Sequence, residues 1–402
     1  MSITTDRTDL PHYPGVRSQR CPFDPPAEYA DWRAAEGLRR VMLGNGNTAW
    51  VVSRYEDVKA VLADPRISAD SKRFDHLIPH SENQPASFPR TDNPEHARRR
   101  RMLTRDFTVR RAEAMRPRIQ EIAADFLERM ISNGQPADLV QEFALPIPSL
   151  VISLLLGVPY EDHEFFQKHA RTLNLTQASV EDRQKAQGAL MAYLLDLLDR
   201  KRREPADDLL SRMMTEHVAT GELTREEAAI NGHTILFAGH ETTANMIGLG
   251  TLTLLEHPDQ AARIRDADDP EVVANAVEEL LRYLSIAQDM ISRVATEDLT
   301  IGGQQVRAGD ILTLNLPAAN RDTAFRVDAD TFDVQRDTRG HLAFGHGVHL
   351  CLGQHLARVE LEVALPILLR RLPDLALAVP LEEVRFRHEM AAYGVHELPV
   401  TW

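Results

Sequence analysis

Cysteine is nearly missing from this sequence. Two residues, Cys21 and Cys351, are all that 402 positions hold. That is too few for a disulfide framework and suits a reducing cytoplasm. A four-cysteine iron–sulfur cluster is excluded by the same count. Positive charge is also short: 60 acidic against 46 basic residues leave a net charge of −14. Nucleic acid is therefore not expected as a partner, because phosphate binding needs a basic surface. One local exception is the run Arg98, Arg99, Arg100 and Arg101. Long apolar runs are missing too. The most apolar stretch, Phe143 to Val158, is broken by Pro146 and Pro148 and falls short of the roughly 20 residues that cross a bilayer. Met1 to Val16 is polar and holds prolines, so it reads as neither a signal peptide nor a membrane anchor. With no linker-like, repetitive or low-complexity stretch, residues 1–402 are expected to form one integrated domain.

What is present is mostly helical periodicity. Leu38–Leu43 and Thr48–Ser53 flank Gly44-Asn45-Gly46, a hairpin signal. Tyr55–Ala63 predicts a short helix, and Ser68 to Thr91, broken by prolines, predicts a long loop. Asn93 is the expected N-cap of the next helix, with Pro94 at its first position. Helical patterns cover Arg110–Ser132, Val140–Leu156, Glu161–Leu173 and Val180–Arg203, the last with a basic final turn and Pro205 as stop signals. Thr224 and Glu227 form a capping box at the head of a pattern that runs to about Glu256. That pattern is apolar almost all round after Ile235, so the helix belongs in the middle of the protein. Helix is expected again over Glu271–Leu284, short strands within Thr300–Leu316, irregular chain over Asn320–Gly340, and a last helix from about Cys351 to Arg371. The fold class is mainly α with a small β portion.

Two places carry chemistry. Phe344-Gly345-His346-Gly347-Val348-His349-Leu350-Cys351-Leu352-Gly353 sets a lone cysteine among glycines at a helix start. Orphan N–H groups and the helix dipole favour a thiolate there. A buried structural cysteine, or a zinc site with His346, His349 and His355, are the alternatives the residues leave open. The second place is Ala238-Gly239-His240-Glu241-Thr242-Thr243, in the centre of the apolar helix. An unpaired carboxylate there is disfavoured by several kcal/mol, and a glycine with two threonines makes a poor helix interior. Local rules broken inside a buried element point to a functional site, or to a kink with a solvent-bridged Glu241.

The ten residues ending at Gly353 resemble, without a gap, the haem-binding signature of the cytochrome P450 superfamily. The resemblance extends from Cys21-Pro22-Phe23-Asp24 to the end of the chain. The wording Glu-Glu-Leu-Leu-Arg-Tyr and Asn320-Arg321-Asp322 is similar to that of soluble actinobacterial members. It implies haem b between the long central helix and the cysteine-loop helix, with Cys351 as the axial ligand of the iron. Phe344 would pack beside the thiolate and Gly353 would lie against the cofactor. A thiolate favours O–O cleavage more than a histidine does. The resemblance also implies a dioxygen groove at Gly239, Ala238 beside cofactor and substrate, Thr242 donating a hydrogen bond to the oxygen and Glu241 relaying protons from solvent. His96, Arg100, Arg293 and His349 match positions that hold the haem propionates. Glu279, Arg282 and Arg336 match a structural triad.

Departures are few. Ala97 stands where threonine is frequent, Thr323 where proline is, Ser292 where proline precedes Arg293, and Asp289 in a segment that lines the substrate cavity. The implied activity is that of a monooxygenase, hydroxylating or epoxidising a small apolar organic substrate in secondary metabolism or catabolism. Electrons would come from NAD(P)H through a ferredoxin reductase and a ferredoxin, in the cytoplasm. Arg98, Arg99 and Arg101 would form a solvated basic face or a docking surface for that partner. A peroxide-driven enzyme and a non-catalytic haem sensor are the rival readings; the pair Glu241-Thr242 speaks against the first.

Overall fold

The computed structural model describes residues 10–18, 21–74, 86–175 and 178–402. The middle of the loop expected over Ser68–Thr91 lies outside them. The helices are α1 Glu28–Ala34, α2 Tyr55–Ala63, α3 Glu95–Thr104, α4 Val109–Asn133, α5 Pro146–Leu156, α6 His163–Asn174, α7 Val180–Arg203, α8 Leu209–Arg212, α9 Arg225–Leu255, α10 Pro258–Arg265, α11 Pro270–Leu284, α12 Leu316–Asn320 and α13 Gln354–Arg371. The strands are β1 His12–Tyr13, β2 Arg39–Leu43, β3 Thr48–Val52, β4 Ile67–Ser68, β5 Ala137–Asp138, β6 Ser292–Ala295, β7 Leu299–Ile301, β8 Gln304–Val306, β9 Ile311–Leu314, β10 Ala376–Leu377 and β11 Pro399–Thr401. Helix, short 3-10 and π turns included, makes up 55% of the described residues, so the class is mainly α.

The largest sheet has the order β1-β2-β3-β9-β6-β4. Its hairpin β2–β3 pairs Arg39 with Val51 and Met42 with Thr48. The turn between them puts Gly46 at φ +80°, a conformation open to glycine. Strand β9 joins this hairpin in parallel and β6 in antiparallel register, pairing Arg293 with Leu312. Arg293 is thereby fixed to a rigid sheet.

Helix α9 is the axis of the molecule. Thr224 Oγ1 accepts from Glu227 N at 3.1 Å and Glu227 Oε2 from Thr224 N at 2.9 Å, closing the expected capping box. Its all-round apolar surface then packs against α5, α7, α11 and α13. The main core cluster lies between α4, α9, α11 and α13, and a second lies between α5, α7 and α9.

Three expectations shift. Helix α3 begins at Glu95, after Pro94, and no side chain caps it, so Asn93 is not its N-cap. The pattern Val140–Leu156 divides into a wide turn over Val140–Ala144 and α5, because Pro146 opens a new helix at its first turn. Helix α13 starts at Gln354 rather than at Cys351.

The expected triad is assembled. Arg282 donates to Glu279 at 2.7 and 2.9 Å, and Arg336 Nη1 to Glu279 Oε1 at 3.0 Å. Arg282 also donates to the carbonyls of Asn320, Ala329 and Thr331, tying α11 to the irregular chain that leads to Cys351. Both Glu279 and Arg282 are fully buried, and removing one partner would strand the other at a cost of about 3–5 kcal/mol.

Candidate active site

A cavity of about 210 Å³ lies between α9 and the loop that precedes α13. From α9 it is lined by Thr234, Ile235, Ala238, Gly239, Thr242 and Thr243, residues that share one face at helical spacing. Phe88, Phe107 and Ile152 close it with apolar surface, and Phe344, His349, Cys351 and Gly353 line the opposite side. The sequence points to most of these positions, Phe88 through its loop Ser68–Thr91, but not to Thr234, Ile235, Ile152 and Phe107. A helical face can be read from spacing; its partners across space cannot.

The cysteine loop is built by tight turns. Gly345 N donates to Leu342 O at 2.8 Å and Cys351 N to Phe344 O at 2.9 Å. Gly347, at φ +71°, cannot be replaced: a Cβ there would lie 2.7 Å from Leu62 O. At Gly353 a Cβ would meet nothing within 4 Å, so the backbone leaves an open cradle beside the cysteine. Burial pushes the Cys351 thiol up, while N–H groups of Gly353 and Gln354 and the charges of Arg100 and Arg358 pull it down. Those groups are aimed to hold a negative sulfur.

Arg358 is a residue that sequence reading misses. Its guanidinium stands 4.6 Å from the Phe344 ring centre and donates to Glu278 at 2.6 and 3.1 Å. Burial raises the Glu278 carboxyl, but its bonds to His341 and Arg358 outweigh this and hold it at about 2. Phe344 is thus clamped from α11 and α13 together.

A basic group faces the cavity with little to neutralise it. The His96 and His349 rings stand 4.0 Å apart, and both His96 nitrogens and His349 Nδ1 are buried without a hydrogen-bond partner. Burial, Arg100 and Arg293 lower His96 to about 4; burial, Arg293, His96 and Arg100 lower His349 to about 3. Burial and Arg90 bring Arg293 down to about 10. The neighbouring acid, Asp92, already accepts from Ala69 N at 2.8 Å and from Ser68 Oγ. A buried cluster of this sign with orphaned donors calls for an anion.

The residues Glu241 and Thr242 part company. Thr242 lines the cavity, and its one hydroxyl proton is donated to Ala238 O at 2.6 Å, so its oxygen is left as an acceptor. Glu241 is buried on another face of α9, where Arg387 Nη1 donates to it at 2.8 Å. The solvent-bridged Glu241 that the sequence left open as an alternative is not what the structure shows: the carboxylate is half of an ion pair. Gly239 serves packing as well as the cavity: a Cβ there would come within 2.8 Å of Ile152.

The arginine run also divides. Arg99 is 6% exposed and links Glu95 to Glu227 at the head of α9, the latter at 2.6 Å. It is a strut between α3 and α9, not part of a solvated face. Arg98 is tied to Glu95 at 2.7 Å, and Arg101 is exposed. Among the described residues no three His, Cys, Asp or Glu side chains come together as a metal-ligating group, and no helix is long and apolar enough to cross a membrane.

Comparison with known proteins agrees with this geometry. The family model for cytochrome P450 matches residues 37–181 and 166–373. Cytochrome P450-SU2 of Streptomyces griseolus is 50% identical over 99% of this chain and 100% of its own. The crystal structure of GfsF superposes with a TM-score of 0.88 at 47% identity, covering 98% of this chain and 100% of that one. The mycinamicin VIII C21 methyl hydroxylase MycCI from Micromonospora griseorubida, solved with mycinamicin VIII bound, gives 0.90 at 41% identity, covering 98% and 100%. An apolar cavity between a central helix and a cysteine loop, in a chain half identical to such a relative from end to end, leaves one conclusion: this chain belongs to the cytochrome P450 family of haem-thiolate monooxygenases.

Proposed function

We propose that Cys351 supplies the axial thiolate to haem b, and that His96, Arg100, Arg293 and His349 hold its propionates. The family carries this cofactor and draws on NAD(P)H through redox partners. The residues fit the group in three ways. Two histidines present orphaned nitrogens, the backbone at Gly353 leaves a cradle, and the groups around Cys351 are those that stabilise a negative sulfur. Bound there, haem would supply activation of dioxygen and transfer of one of its atoms to a C–H or C=C bond.

The chain's own residues then orient and exclude. The substrate is a small apolar organic molecule, held against Ala238, Ile235, Phe88 and Ile152, which expel water from the cavity. The mycinamicin VIII C21 methyl hydroxylase was solved with mycinamicin VIII bound, and this chain is read as acting on a secondary metabolite. Thr242 Oγ1 accepts a hydrogen bond at the cavity wall, or donates one when its hydroxyl turns from Ala238 O. Glu241 accepts a proton from the outer side of α9 and passes it inward as a general acid. Electrons arrive from a ferredoxin served by a ferredoxin reductase, in the cytoplasm, and residues 1–402 act as one haem domain. The observation that carries this reading is the pair of orphaned histidines beside the cysteine. Its test is the spectrum of the reduced, carbon-monoxide-bound protein. Cys351→Ser should abolish the red-shifted Soret band and Cys21→Ser should keep it; the reverse result would sink the ligand assignment.

A further inference from the structure

On α9, Glu241 and Thr242 are consecutive and therefore about 100° apart around the helix. Thr242 faces the cavity, while Glu241 faces the C-terminal turn of residues 385–396. There Arg387 Nη1 donates to Glu241 Oε1 at 2.8 Å and to Asn245 Oδ1 at 3.1 Å. The side chains of Arg387 and Glu241 are only 10% and 8% exposed. The turn that carries Arg387 is held firmly: Arg387 N donates to Gly394 O at 2.9 Å and His396 N to Arg385 O at 2.8 Å. Asn245 Nδ2 reaches Ala392 O at 3.4 Å, and Gly394 sits so close that a Cβ would fall 2.4 Å from Asn245 Oδ1. One arginine from the far end of the chain thus fixes a carboxylate in the middle of the central helix.

A buried carboxylate that loses its cation takes up a proton instead of remaining charged. Such an acid has a poor affinity match for relay, since it binds its proton too tightly to hand it on near neutral pH. We propose that Arg387 is the positioning residue of the Glu241–Thr242 pair: its ion pair holds the Glu241 carboxylate turned to the C-terminal turn, so that protons enter on that side of α9. Each transfer moves one proton onto Glu241 from the turn and one off it toward the cavity, and leaves the carboxylate as it began. This rests on the reading of Glu241 as the proton donor. Other charged and titratable groups facing the pair are His240 beside it on α9, Arg171 of α6, Asp138 of β5, and Glu389 and His396 of the turn. His396 is bonded to Glu389 at 2.8 Å. Burial lowers both His240 and His396, so neither replaces Arg387 as a cation at neutral pH.

The test uses the haem-bound enzyme with Arg387→Lys, Arg387→Met, Glu241→Gln and the double variant Arg387→Met with Glu241→Gln. Infrared spectra at pH 7 should show a new protonated-carboxyl band in Arg387→Met that is missing from the double variant and from Arg387→Lys. Product formed per NAD(P)H should fall about tenfold or more at pH 7 in Arg387→Met, recover toward pH 9, and stay within about threefold of the parent in Arg387→Lys. A change in KM alone, with kcat and its pH profile unmoved, would overturn the proposal, as would a carboxyl that remains ionised in Arg387→Met. If Arg387→Met fails to accumulate with haem, Arg387→Gln, which loses the charge but keeps a hydrogen-bond donor, makes the same measurement. Should Glu241→Gln itself keep the parent's coupling, the donor reading fails, and the proposal fails with it even if the infrared band appears.

Discussion

The rings of His96 and His349 stand 4.0 Å apart on the cavity wall, one from α3 and one from the cysteine loop. Two basic side chains brought this close repel when charged and share the field of Arg100 and Arg293. They are best explained by a doubly anionic partner that satisfies both.

Replacing either histidine by alanine should therefore speed haem loss, and the double replacement should cost less than the sum of the two. Residues in contact with a shared partner couple by about 0.5–3 kcal/mol. The measurement is the rate of haem transfer to a scavenging apoprotein at pH 7. Strictly additive effects would mean that the two rings do not serve one ligand.

How much of this was legible follows the range of the signal. Helices α2 and α7 end where turn and charge signals place them, because caps, prolines and basic last turns act over a few residues. The cysteine loop is legible for the same reason, since its glycines, cysteine and helix start lie within ten positions. Arg387 is not legible as the partner of Glu241, 146 positions away; an arginine in a polar tail carries no local mark of burial. Arg99 fails in the other direction. A run of four arginines reads as one face, yet a helix turns each to a different side, and Arg99 points to Glu227.

That division changes what the arginines are expected to do. Arg101 and Arg105 are exposed beside a cleft that also holds Glu216 and Glu222. Charge reversal at Arg101 should slow electron transfer from an acidic ferredoxin, and added salt should slow the parent, because exposed charges are screened over about 8–10 Å. Arg99→Ala should act through stability, by about 3 kcal/mol, with little effect on the salt dependence. Stopped-flow reduction at several ionic strengths, beside thermal unfolding, separates the two. Equal salt slopes for parent and Arg101→Glu would remove the docking role.

Asp289 supplies a pH test. It is partly buried, and burial pushes its carboxyl up to about 6 against the pull of Arg90 and Arg183. A folded value above the unfolded one, about 3.9, favours the folded state when the group is protonated. Its contribution is complete below about pH 4 and is lost as pH rises through about 6. Asp289→Asn should therefore gain stability relative to the parent between pH 4 and pH 7, by up to about 3 kcal/mol. Unfolding followed at both pH values reads this difference. A variant that tracks the parent across that window would show that Asp289 titrates as an ordinary exposed acid.

Thr242 tests the mechanism apart from the fold. Its hydroxyl already donates to Ala238 O at 2.6 Å, an i−4 bond within the helix, and the residue lines the cavity. Thr242→Ala removes that oxygen from the wall without disturbing Cys351, the basic cluster or the apolar faces that seat the substrate. Haem content, substrate-induced spectral shifts and first-electron reduction should stay close to the parent. Serine in place of Thr242 should restore most of the function, because it keeps the hydroxyl and loses only a methyl. NAD(P)H should still be consumed by the alanine variant, with electrons leaving as hydrogen peroxide and product per NAD(P)H reduced by about 10²-fold, the lower end for a positioned proton-transfer group. If the alanine variant stayed fully coupled, Thr242 would be only part of the cavity wall, and proton delivery would have to be sought elsewhere on α9.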